Sequence, residues 1–387
     1  MEETFHLRWG IIGTGRIAEA FARDLLTDPG LRGRADLVHI LSGVASSSSE
    51  DAAREFIAKV EAPSHCHAYG EYAQLVQCPT IDVIYIATPH SHHFQNAMLA
   101  LEAGKHVLCE KSLTVNAAQA KKLFATAERK QRFLMEGLWT RFLPISFEVR
   151  QLVRSGAIGT ITRIFADNAL GMDPGCDFAV DDRMVVKGLA GGALLDLGVY
   201  SIHWVLQALP EEDRRPSQVL STVTQYPASG VDETTTILMR FPPDTADGPE
   251  VHAIASCSLR SATNTDGETP TVRIQGDKGE IQLFGFPWRP LRLRAIKRKH
   301  GIASEGTVKV DRDDFIPDGV YGLCYQADEV ARCLCQGLIE SPEMLWKESL
   351  VVMKIMDTVR RDNGLQFPEE IETLSYPVDL PIRSSCR

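Results

Sequence analysis

The stretch that decides the fold is Trp9-Gly-Ile-Ile-Gly-Thr-Gly-Arg-Ile-Ala18, near the start of a 387-residue chain. It joins a short apolar run to an amphipathic segment that reaches Leu26, a pattern that indicates strand, turn and helix. Gly13 permits a tight turn, Gly15 leaves room for a pyrophosphate beside the backbone, and Ala18 lets helix and strand pack closely. The helix N-terminus offers N–H groups to phosphate oxygens. The stretch therefore predicts a dinucleotide-binding turn; the alternative is a glycine turn without a ligand.

Strand-like and helix-like segments alternate through the first third of the chain. Apolar runs at Ile81–Ala87, His106–Cys109 and Phe133–Glu136 alternate with helical patterns such as Asn116–Lys130. This order predicts an α/β fold, a Rossmann-type doubly wound parallel sheet with helices on both faces, over residues 1–137.

The pattern changes after residue 137. Later helical patterns begin after Pro144 and cover Gly191–Leu209, Tyr321–Gly337 and Leu345–Asn363. Between the second and third of these helices lie long alternating stretches: Gln218–Tyr226, Thr234–Phe241, Val251–Leu259, Thr271–Gly276, Glu280–Phe284 and Leu291–Arg298. Such alternation is typical of an antiparallel sheet with one solvated face. Residues 138–387 are therefore predicted to form an α+β domain with a large, mostly antiparallel open sheet.

The composition excludes several functional classes. A formal net charge of -10 argues against nucleic acid or an anionic membrane surface as a partner, because such partners need a basic footprint. No stretch comes near the roughly 20 apolar residues that span a bilayer, and the N-terminus lacks the layout of a signal peptide. Nine cysteines without a Cys-x-x-Cys pair fit free thiols in a reducing compartment. We therefore expect a cytoplasmic protein.

The residues after His39–Ala45, the second predicted strand of the chain, indicate which dinucleotide is preferred. The strand is followed by a run of hydroxyl side chains: Ser46, Ser47, Ser48 and Ser49. The Asp or Glu that would accept from the ribose 2′-OH of NAD is missing there, whereas hydroxyl and turn N–H groups can donate to a 2′-phosphate. Arg16, beside Ile17 at the start of the first helix, adds a cation. We predict NADP; the alternative is a solvated turn that caps the next helix.

Three further polar clusters follow predicted strands of the first domain, at the edge where open parallel sheets bind ligands. They are Thr88-Pro89-His90-Ser91-His92, Glu110-Lys111-Ser112 and Glu136-Gly137-x-x-Thr140-Arg141. The predicted cofactor contacts among them are Thr88, Pro89, His92, Glu110 and Lys111. Lys111 is the most informative, because an ammonium beside a nicotinamide can orient a hydroxyl and lower the pKa of a nearby acid. The alternative is a surface lysine paired with Glu110.

The histidines His90, His92 and His93 invite a metal hypothesis. No carboxylate or further histidine is spaced to complete a site. We therefore predict no metal.

The second domain contributes a polar stripe on an otherwise apolar helix. Asp196, Tyr200 and His203 stand at positions i, i+4 and i+7, which share one helix face. A polar stripe on so hydrophobic a segment predicts a functional site. The alternative is a structural polar network, and for His203 both roles stay open.

Together these motifs resemble the glucose–fructose oxidoreductase and inositol dehydrogenase (GFO/IDH/MocA) family over nearly the whole chain. The matches are the glycine motif, the Thr-Pro-x-x-His turn, the Glu-Lys segment and the Asp-x-Gly-x-Tyr helix. Longer stretches resemble the branch that holds dimeric dihydrodiol dehydrogenases and fungal NADP-dependent D-xylose 1-dehydrogenases: Ala45–Ser49, Ala87–Phe94, Met135–Phe142 and Leu189–Tyr200.

The resemblance implies an NADP-dependent dehydrogenase with a small sugar or diol as substrate. The reaction would oxidise an aldopyranose at C1 to a lactone, or a cyclic trans-diol to a hydroxyketone. Lys111 and Tyr200 would be the catalytic pair with Asp196 in support, and the open sheet would join two copies in a homodimer. The family usually has proline where this chain has Ser112. Serine can follow the same path only if that peptide is not obligatorily cis, since a cis bond before a residue other than proline costs about 2.5–4 kcal/mol.

We expect Tyr200 to take the hydroxyl proton as the hydride leaves. Bringing a tyrosine pKa from about 10 close to 7 takes roughly 4 kcal/mol of preferential stabilisation of the phenolate. The electrostatic attraction of a buried ammonium within a few ångström of the phenolate is strong enough to supply that free energy at an effective dielectric near 20. Asp196 opposes the shift, so we assign it to orienting Lys111 or a sugar hydroxyl. Lys111 as the base stays open.

Four further residues are predicted to contact the substrate. Trp139 and Phe142 would form walls, Arg141 would clamp a hydroxyl and His203 would complete the site. Core packing is the alternative for both aromatic residues.

Other functional classes are a non-catalytic NADP-sensing regulator and an imine or ketone reductase working in the opposite direction. A regulator would be expected to lose Lys111 or Tyr200, and both are present.

Overall fold

The computed structural model describes residues 4–210, 214–243, 248–299 and 306–380. Its α-helices are α1 (Arg16–Leu25), α2 (Glu50–Lys59), α3 (Tyr72–Gln77), α4 (His90–Glu102), α5 (Ala117–Lys130), α6 (Pro144–Arg154), α7 (Val199–Gln207), α8 (Cys324–Cys335), α9 (Trp346–Asp362) and α10 (Glu369–Glu372). Its strands are β1 (Phe5–Ile12), β2 (Leu37–Ala45), β3 (His67–Tyr69), β4 (Val83–Ile86), β5 (His106–Glu110), β6 (Leu134–Gly137), β7 (Ile161–Ala169), β8 (Gln218–Gln225), β9 (Asp232–Phe241), β10 (Val251–Ser258), β11 (Val272–Gly276), β12 (Gly279–Phe286), β13 (Arg289–Lys297) and β14 (Thr307–Arg312).

The chain forms two compact units that differ from the division predicted at residues 137 and 138. The first unit contains the described residues up to Trp139, then Ile316–Leu350 and the described residues from Pro368 onward. The second contains Thr140–Phe315 and Val351–Phe367. Sequence patterns gave no sign that the C-terminal segments belong to the first unit.

The first unit is built on a six-stranded sheet in the order β3-β2-β1-β4-β5-β6. All neighbouring strands run parallel, which confirms the predicted doubly wound fold. Strands β2 and β3 are added on one side of β1, and β4 to β6 on the other, so the strand order reverses between β1 and β4. Ligands of such sheets bind at that point, outside the carboxyl ends of the strands. Edge strand β3 was not predicted because a three-residue strand carries almost no periodicity.

Helix α8 belongs to the first unit because buried polar groups hold it there. The Asp24 carboxylate accepts the N–H groups of Tyr321, Gly322 and Leu323 at 2.7, 2.7 and 2.6 Å, just before the helix begins. Arg32 donates to Asp328 on the helix through Nε at 2.6 Å and a terminal nitrogen at 2.9 Å. Buried charges paired in this way are costly to separate.

The second unit contains an eight-stranded sheet in the order β14-β13-β12-β11-β7-β10-β9-β8. β7 and β10 are parallel, and the other neighbours are antiparallel, so the predicted mostly antiparallel sheet is confirmed. Edge strand β14 was not predicted. Its mostly exposed residues lack the apolar alternation by which a strand is recognised.

We expected no segment long and apolar enough to span a membrane, but the helical segment Lys187–Gln207 meets both criteria. It has a mean hydropathy of 1.4. However, 94% of the apolar window is buried inside the protein, as is usual for a core helix. Its central part is a π-helical turn, Leu194–Gly198, that continues directly into α7.

Candidate active site

The glycine turn of the first unit has the geometry of a dinucleotide-binding site. Gly13 has a φ of +103°, and a Cβ there would lie 2.7 Å from the carbonyl oxygen of Ala87, so glycine is required. Gly15 caps α1, and a Cβ there would meet nothing within 4 Å. Ala18 is fully buried. Because the first N–H groups of a helix lack intrahelical acceptors, this turn fits a pyrophosphate.

The serine run begins with a buried side chain, Ser46, and ends with an exposed one, Ser49, that caps the next helix. Ser49 caps α2 by accepting the N–H of Ala52 at 3.1 Å, which is the role given as the alternative. Ser46 is buried and its hydroxyl accepts the N–H of Ser48 at 3.2 Å. The first carboxylate after the strand is Glu50, which pairs with Arg54. The turn therefore presents hydroxyl and N–H groups, and the nearest acid in the sequence, Glu50, is paired with Arg54.

The Thr88 turn is held by side chains of the helix that follows it. The Thr88 hydroxyl accepts from the Asn96 amide at 3.1 Å, and Pro89 is the N-cap of α4. His93 has both ring nitrogens 2.8 Å from carbonyl oxygens, those of Ser112 and Thr88. His92 has Nδ1 2.8 Å from the hydroxyl of Ser91. Within the described part of the chain, no group of three or more His, Cys, Asp or Glu side chains has the arrangement of a metal site.

Glu110 ends strand β5, and Lys111 follows it. The phenol of Tyr85 donates to Glu110 at 2.6 Å, and both groups are buried. The Tyr85 ring stacks on Phe21 with centroids 3.8 Å apart. Lys111 is half-buried. The peptide bond between Lys111 and Ser112 is cis, the isomer that was considered unfavourable at a serine.

Buried Glu136 anchors the backbone that follows Lys111. One carboxylate oxygen accepts the N–H of Leu113 at 3.0 Å, and the other accepts from the Ser349 hydroxyl at 2.6 Å. Burial raises the pKa of Glu136, and these two donors oppose that rise. Ser349 was not predicted, because nothing in a helical pattern marks one serine as a partner of a distant strand.

Asp196 lies on the π-helical turn of the second unit and is paired with a residue that sequence reasoning missed. Arg183 donates to both carboxylate oxygens, at 3.0 and 3.3 Å. Arg183 comes from an irregular segment in which no pattern could mark it. A π-helix has more residues per turn than an α-helix, so the 3.6-residue spacing used to place Asp196 and Tyr200 on one face does not hold through this turn.

Tyr200 is in the first turn of α7 and is 5% exposed. Its ring centroid lies 6.4 Å from that of Trp288, which stacks on Phe286 at 4.2 Å. The hairpin that carries Trp288 is fixed by its backbone: Trp204 donates to the carbonyl of Pro287 at 2.8 Å, and the Thr140 hydroxyl donates to the carbonyl of Trp288 at 2.5 Å. Trp288 was not predicted, although two aromatic residues around a proline in a hairpin are a visible signal.

The predicted substrate contacts are almost completely buried. Trp139 and Phe142 are 2% exposed and Arg141 is 4% exposed, and the Trp139 ring stacks on Tyr321 at 5.4 Å. This burial is what core packing predicts.

His203 is completely buried. Burial lowers its pKa well below the ordinary value, and the positive charges of Arg141, Arg150 and Arg214 act in the same direction. A neutral, enclosed ring is what the structural alternative for His203 predicts.

Asp232 was missed by sequence reasoning and lies beside the start of the turn that carries Asp196. It accepts the N–H of Leu194 at 2.5 Å and the hydroxyl of Thr235 at 3.3 Å. Gly192 has a φ of +115°, and a Cβ there would lie 2.1 Å from Asp232 Oδ1. Burial raises the pKa of Asp232 to about 7. Nothing in the alternation of β9 marks its first residue as a helix anchor.

The fold and these features define an oxidoreductase with a Rossmann domain for a nicotinamide dinucleotide. Residues 7–138 match the oxidoreductase family with an NAD-binding Rossmann fold, and residues 147–282 match the GFO/IDH/MocA C-terminal domain. The chain belongs to the GFO/IDH/MocA oxidoreductase family, as its motifs predicted.

Two relatives and one solved structure illustrate the similarity. D-xylose 1-dehydrogenase (NADP(+)) of Hypocrea jecorina is 44% identical over 98% of both chains. Human trans-1,2-dihydrobenzene-1,2-diol dehydrogenase is 34% identical over 94% of this chain and 99% of its own. Levoglucosan dehydrogenase, in complex with NADH and levoglucosan, has a TM-score of 0.78 and 19% identity over 93% of this chain and 97% of its own; at that identity the similarity concerns the fold alone.

Proposed function

We propose that the protein is an NADP-dependent D-xylose 1-dehydrogenase that oxidises an aldopyranose at C1 to the lactone. The observation that carries this proposal is the 44% identity with an enzyme of that name along 98% of both chains. The turn after β2 has serines at 46–49 where NAD-dependent enzymes carry an acid, and this supports NADP over NAD.

The first unit would hold the cofactor with residues at the carboxyl ends of its strands. Gly13, Gly15, Arg16 and Ile17 would face the pyrophosphate, and Ser46, Ser47 and Ser48 the 2′-phosphate. Thr88, Pro89, His92, Glu110 and Lys111 would line the nicotinamide side. The bound cofactor supplies the hydride acceptor.

Tyr200 would take the proton of the substrate hydroxyl, and the Lys111 ammonium would favour the phenolate. Asp196 would orient a sugar hydroxyl. Its charge opposes a phenolate, but Arg183 donates to both of its oxygens and offsets that charge. Lys111 as the base is the alternative. Trp139, Arg141, Phe142 and His203 stay predicted substrate contacts, although their burial favours packing.

A second candidate function is oxidation of a trans-dihydrodiol. It is favoured by the 34% identity with the human dihydrodiol dehydrogenase. The stacked pair of Phe286 and Trp288 beside Tyr200 would accept either a carbocyclic diol or the apolar face of a sugar.

A substrate panel tests the proposal. D-xylose, D-glucose, L-arabinose and trans-dihydrodiols are each supplied with NADP or NAD, and reduction is followed at 340 nm. We expect the highest kcat/KM with D-xylose and NADP. Preference for a dihydrodiol would establish the second candidate, and NADP binding without turnover of any compound would indicate a sensing regulator.

Self-association through the open face of the eight-stranded sheet is also part of the proposal. Four apolar side chains stand opposite one another on neighbouring strands of that face: Leu220, Leu238, Ile254 and Phe165. Leu220 is 52% and Leu238 43% exposed, and burial of such a row against a second copy favours a homodimer.

We also propose a cytoplasmic location. The cysteines in the described residues are all free thiols, which fits a reducing compartment. Cell fractionation would test this location.

A further inference from the structure

His93 lies on α4 and connects two loops of the first unit. It is 1% exposed, and its ring stands between two backbone carbonyl groups. Nδ1 is 2.8 Å from the oxygen of Ser112, and Nε2 is 2.8 Å from the oxygen of Thr88. Ser112 follows Lys111 after strand β5, and Thr88 begins the turn after β4. The ring therefore bridges the two segments that carry the proposed nicotinamide-side contacts.

Only one of the two bridges can be a full hydrogen bond at neutral pH. A neutral imidazole has one N–H donor, and two carbonyl oxygens accept but cannot donate. Burial lowers the pKa of His93 to about 4, and the charge of Lys111 acts in the same direction while both carbonyl groups oppose it. The ring is therefore neutral and donates either to Ser112 or to Thr88.

The segment after Lys111 is anchored from a second side. Glu136 accepts the N–H of Leu113 at 3.0 Å, one residue beyond the carbonyl that faces His93. Consecutive backbone groups are thus fixed by two buried side chains. Movement of either anchor would be transmitted directly to Lys111.

We propose that His93 is a positioning residue whose neutral ring alternates between its two tautomers, holding the Lys111 loop through the Ser112 carbonyl in one and the cofactor turn through the Thr88 carbonyl in the other. This inference rests on the proposed role of Lys111 in catalysis. A side chain displaced by about 1 Å from its reacting geometry can lower the rate roughly 100-fold. The alternative is that the ring only fills space, which its edge-on contact with His90 at 5.5 Å would allow. In that case substitution of His93 should lower the stability of the protein without a selective effect on kcat.

Two conservative variants separate the bridges. The amide nitrogen of asparagine lies near the position of histidine Nδ1, and that of glutamine near Nε2, so His93→Asn keeps a donor for Ser112 and His93→Gln keeps one for Thr88. We expect His93→Asn to retain kcat within about threefold and to weaken NADP binding. We expect His93→Gln to retain the NADP Kd and to lose about 10-fold or more in kcat at an unchanged KM for the sugar.

The measurements are kcat, sugar KM, the NADP Kd by calorimetry and the melting temperature. His65→Asn, at an exposed histidine of the same unit, is the matched control. Equal losses of kcat in both variants, or kcat and Kd within twofold of wild type in both, would overturn the proposal. So would a lower melting temperature with both constants unchanged.

A Lys111→Ala background separates this inference from the proposed function. If His93 acts through Lys111, His93→Gln should cost no further kcat there, because the two losses are not additive. An undiminished further loss would overturn the positioning role. Full activity of Lys111→Ala alone would refute the proposed role of Lys111 and, with it, the Ser112 half of the inference, while the NADP Kd of His93→Asn would still decide the Thr88 half.

Discussion

At the scale of single residues, the motifs that can be recognised in the sequence are those whose chemistry is local. Gly13 and Gly15 are marked by spacing alone, and Tyr200 stands out as a polar group on an apolar helix. Arg183 and Asp232 could not be found in this way, because each acquires its role from a contact with a residue elsewhere in the chain. Prediction from sequence therefore proposed reacting groups but did not find the side chains that contact them.

The proton acceptor can be identified by comparing two substitutions. If Tyr200 is the base, Tyr200→Phe should lower kcat by about 10²–10⁴-fold, the usual contribution of acid–base catalysis. If Lys111 is the base, Tyr200→Phe should keep most of kcat while Lys111→Ala abolishes it. Steady-state kinetics decide the matter, with NADP affinity as the control for an intact cofactor site.

Asp232 should make stability depend on pH. Its pKa is about 7 in the folded protein instead of the ordinary 3.8, so the folded state keeps a proton that the unfolded state loses. The contribution of Asp232 to the free energy of unfolding is therefore complete below about pH 4. It decreases as the pH rises towards 7, by about 4 kcal/mol in total.

Asp232→Asn removes this titration and keeps an oxygen for the N–H of Leu194. We expect the variant to melt at a higher temperature than wild type at pH 8 and to show little advantage at pH 4.5. Melting curves of both proteins across that range provide the measurement. A difference that does not change with pH would contradict the assignment.

At the scale of elements, the hairpin between β12 and β13 is held by hydrogen bonds to its main chain. Its aromatic side chains take no part in those bonds. The carbonyl groups of Pro287 and Trp288 are bonded to Trp204 and Thr140, whereas the Trp288 ring faces Tyr200 and Phe286. Substitution of the ring should therefore change what it contacts without releasing the hairpin.

We expect Trp288→Ala to raise the KM for the sugar roughly tenfold, equivalent to about 1.4 kcal/mol, with a smaller change in kcat. Leu291→Ala, at an exposed residue of β13, serves as the control. Initial rates over a range of sugar concentrations measure the effect. A KM equal to that of wild type would remove Trp288 from the substrate site.

Prediction of elements failed at one edge strand of each sheet, β3 and β14. Strands β3 and β14 are short or mostly exposed, so neither has the periodic burial that reveals a strand. The central strands were predicted because both of their neighbours impose a pattern: β1, β4 and β5 are nearly continuous apolar runs, and β9 and β10 alternate.

At the scale of the whole molecule, the proposed homodimer interface can be tested by a substitution in the apolar row on the open sheet face. Leu238→Lys places a charge in the middle of that row, and we expect the mass in solution to fall from a dimer to a monomer by light scattering. Leu31→Lys is the control, because Leu31 is a 57% exposed leucine of the first unit. Equal masses for the two variants would contradict the proposed interface.

The three-segment composition of the first unit has a consequence for its biosynthesis. Once translation passes Trp139, every strand of the parallel sheet has been synthesised, but the partners of Asp24 and Arg32 have not been made. Buried carboxylate and guanidinium groups without partners are strongly destabilising. The nascent cofactor-binding half should therefore remain a substrate for chaperones until the segment Ile316–Leu350 emerges, and a gene fragment that stops at residue 139 should give an unstable product.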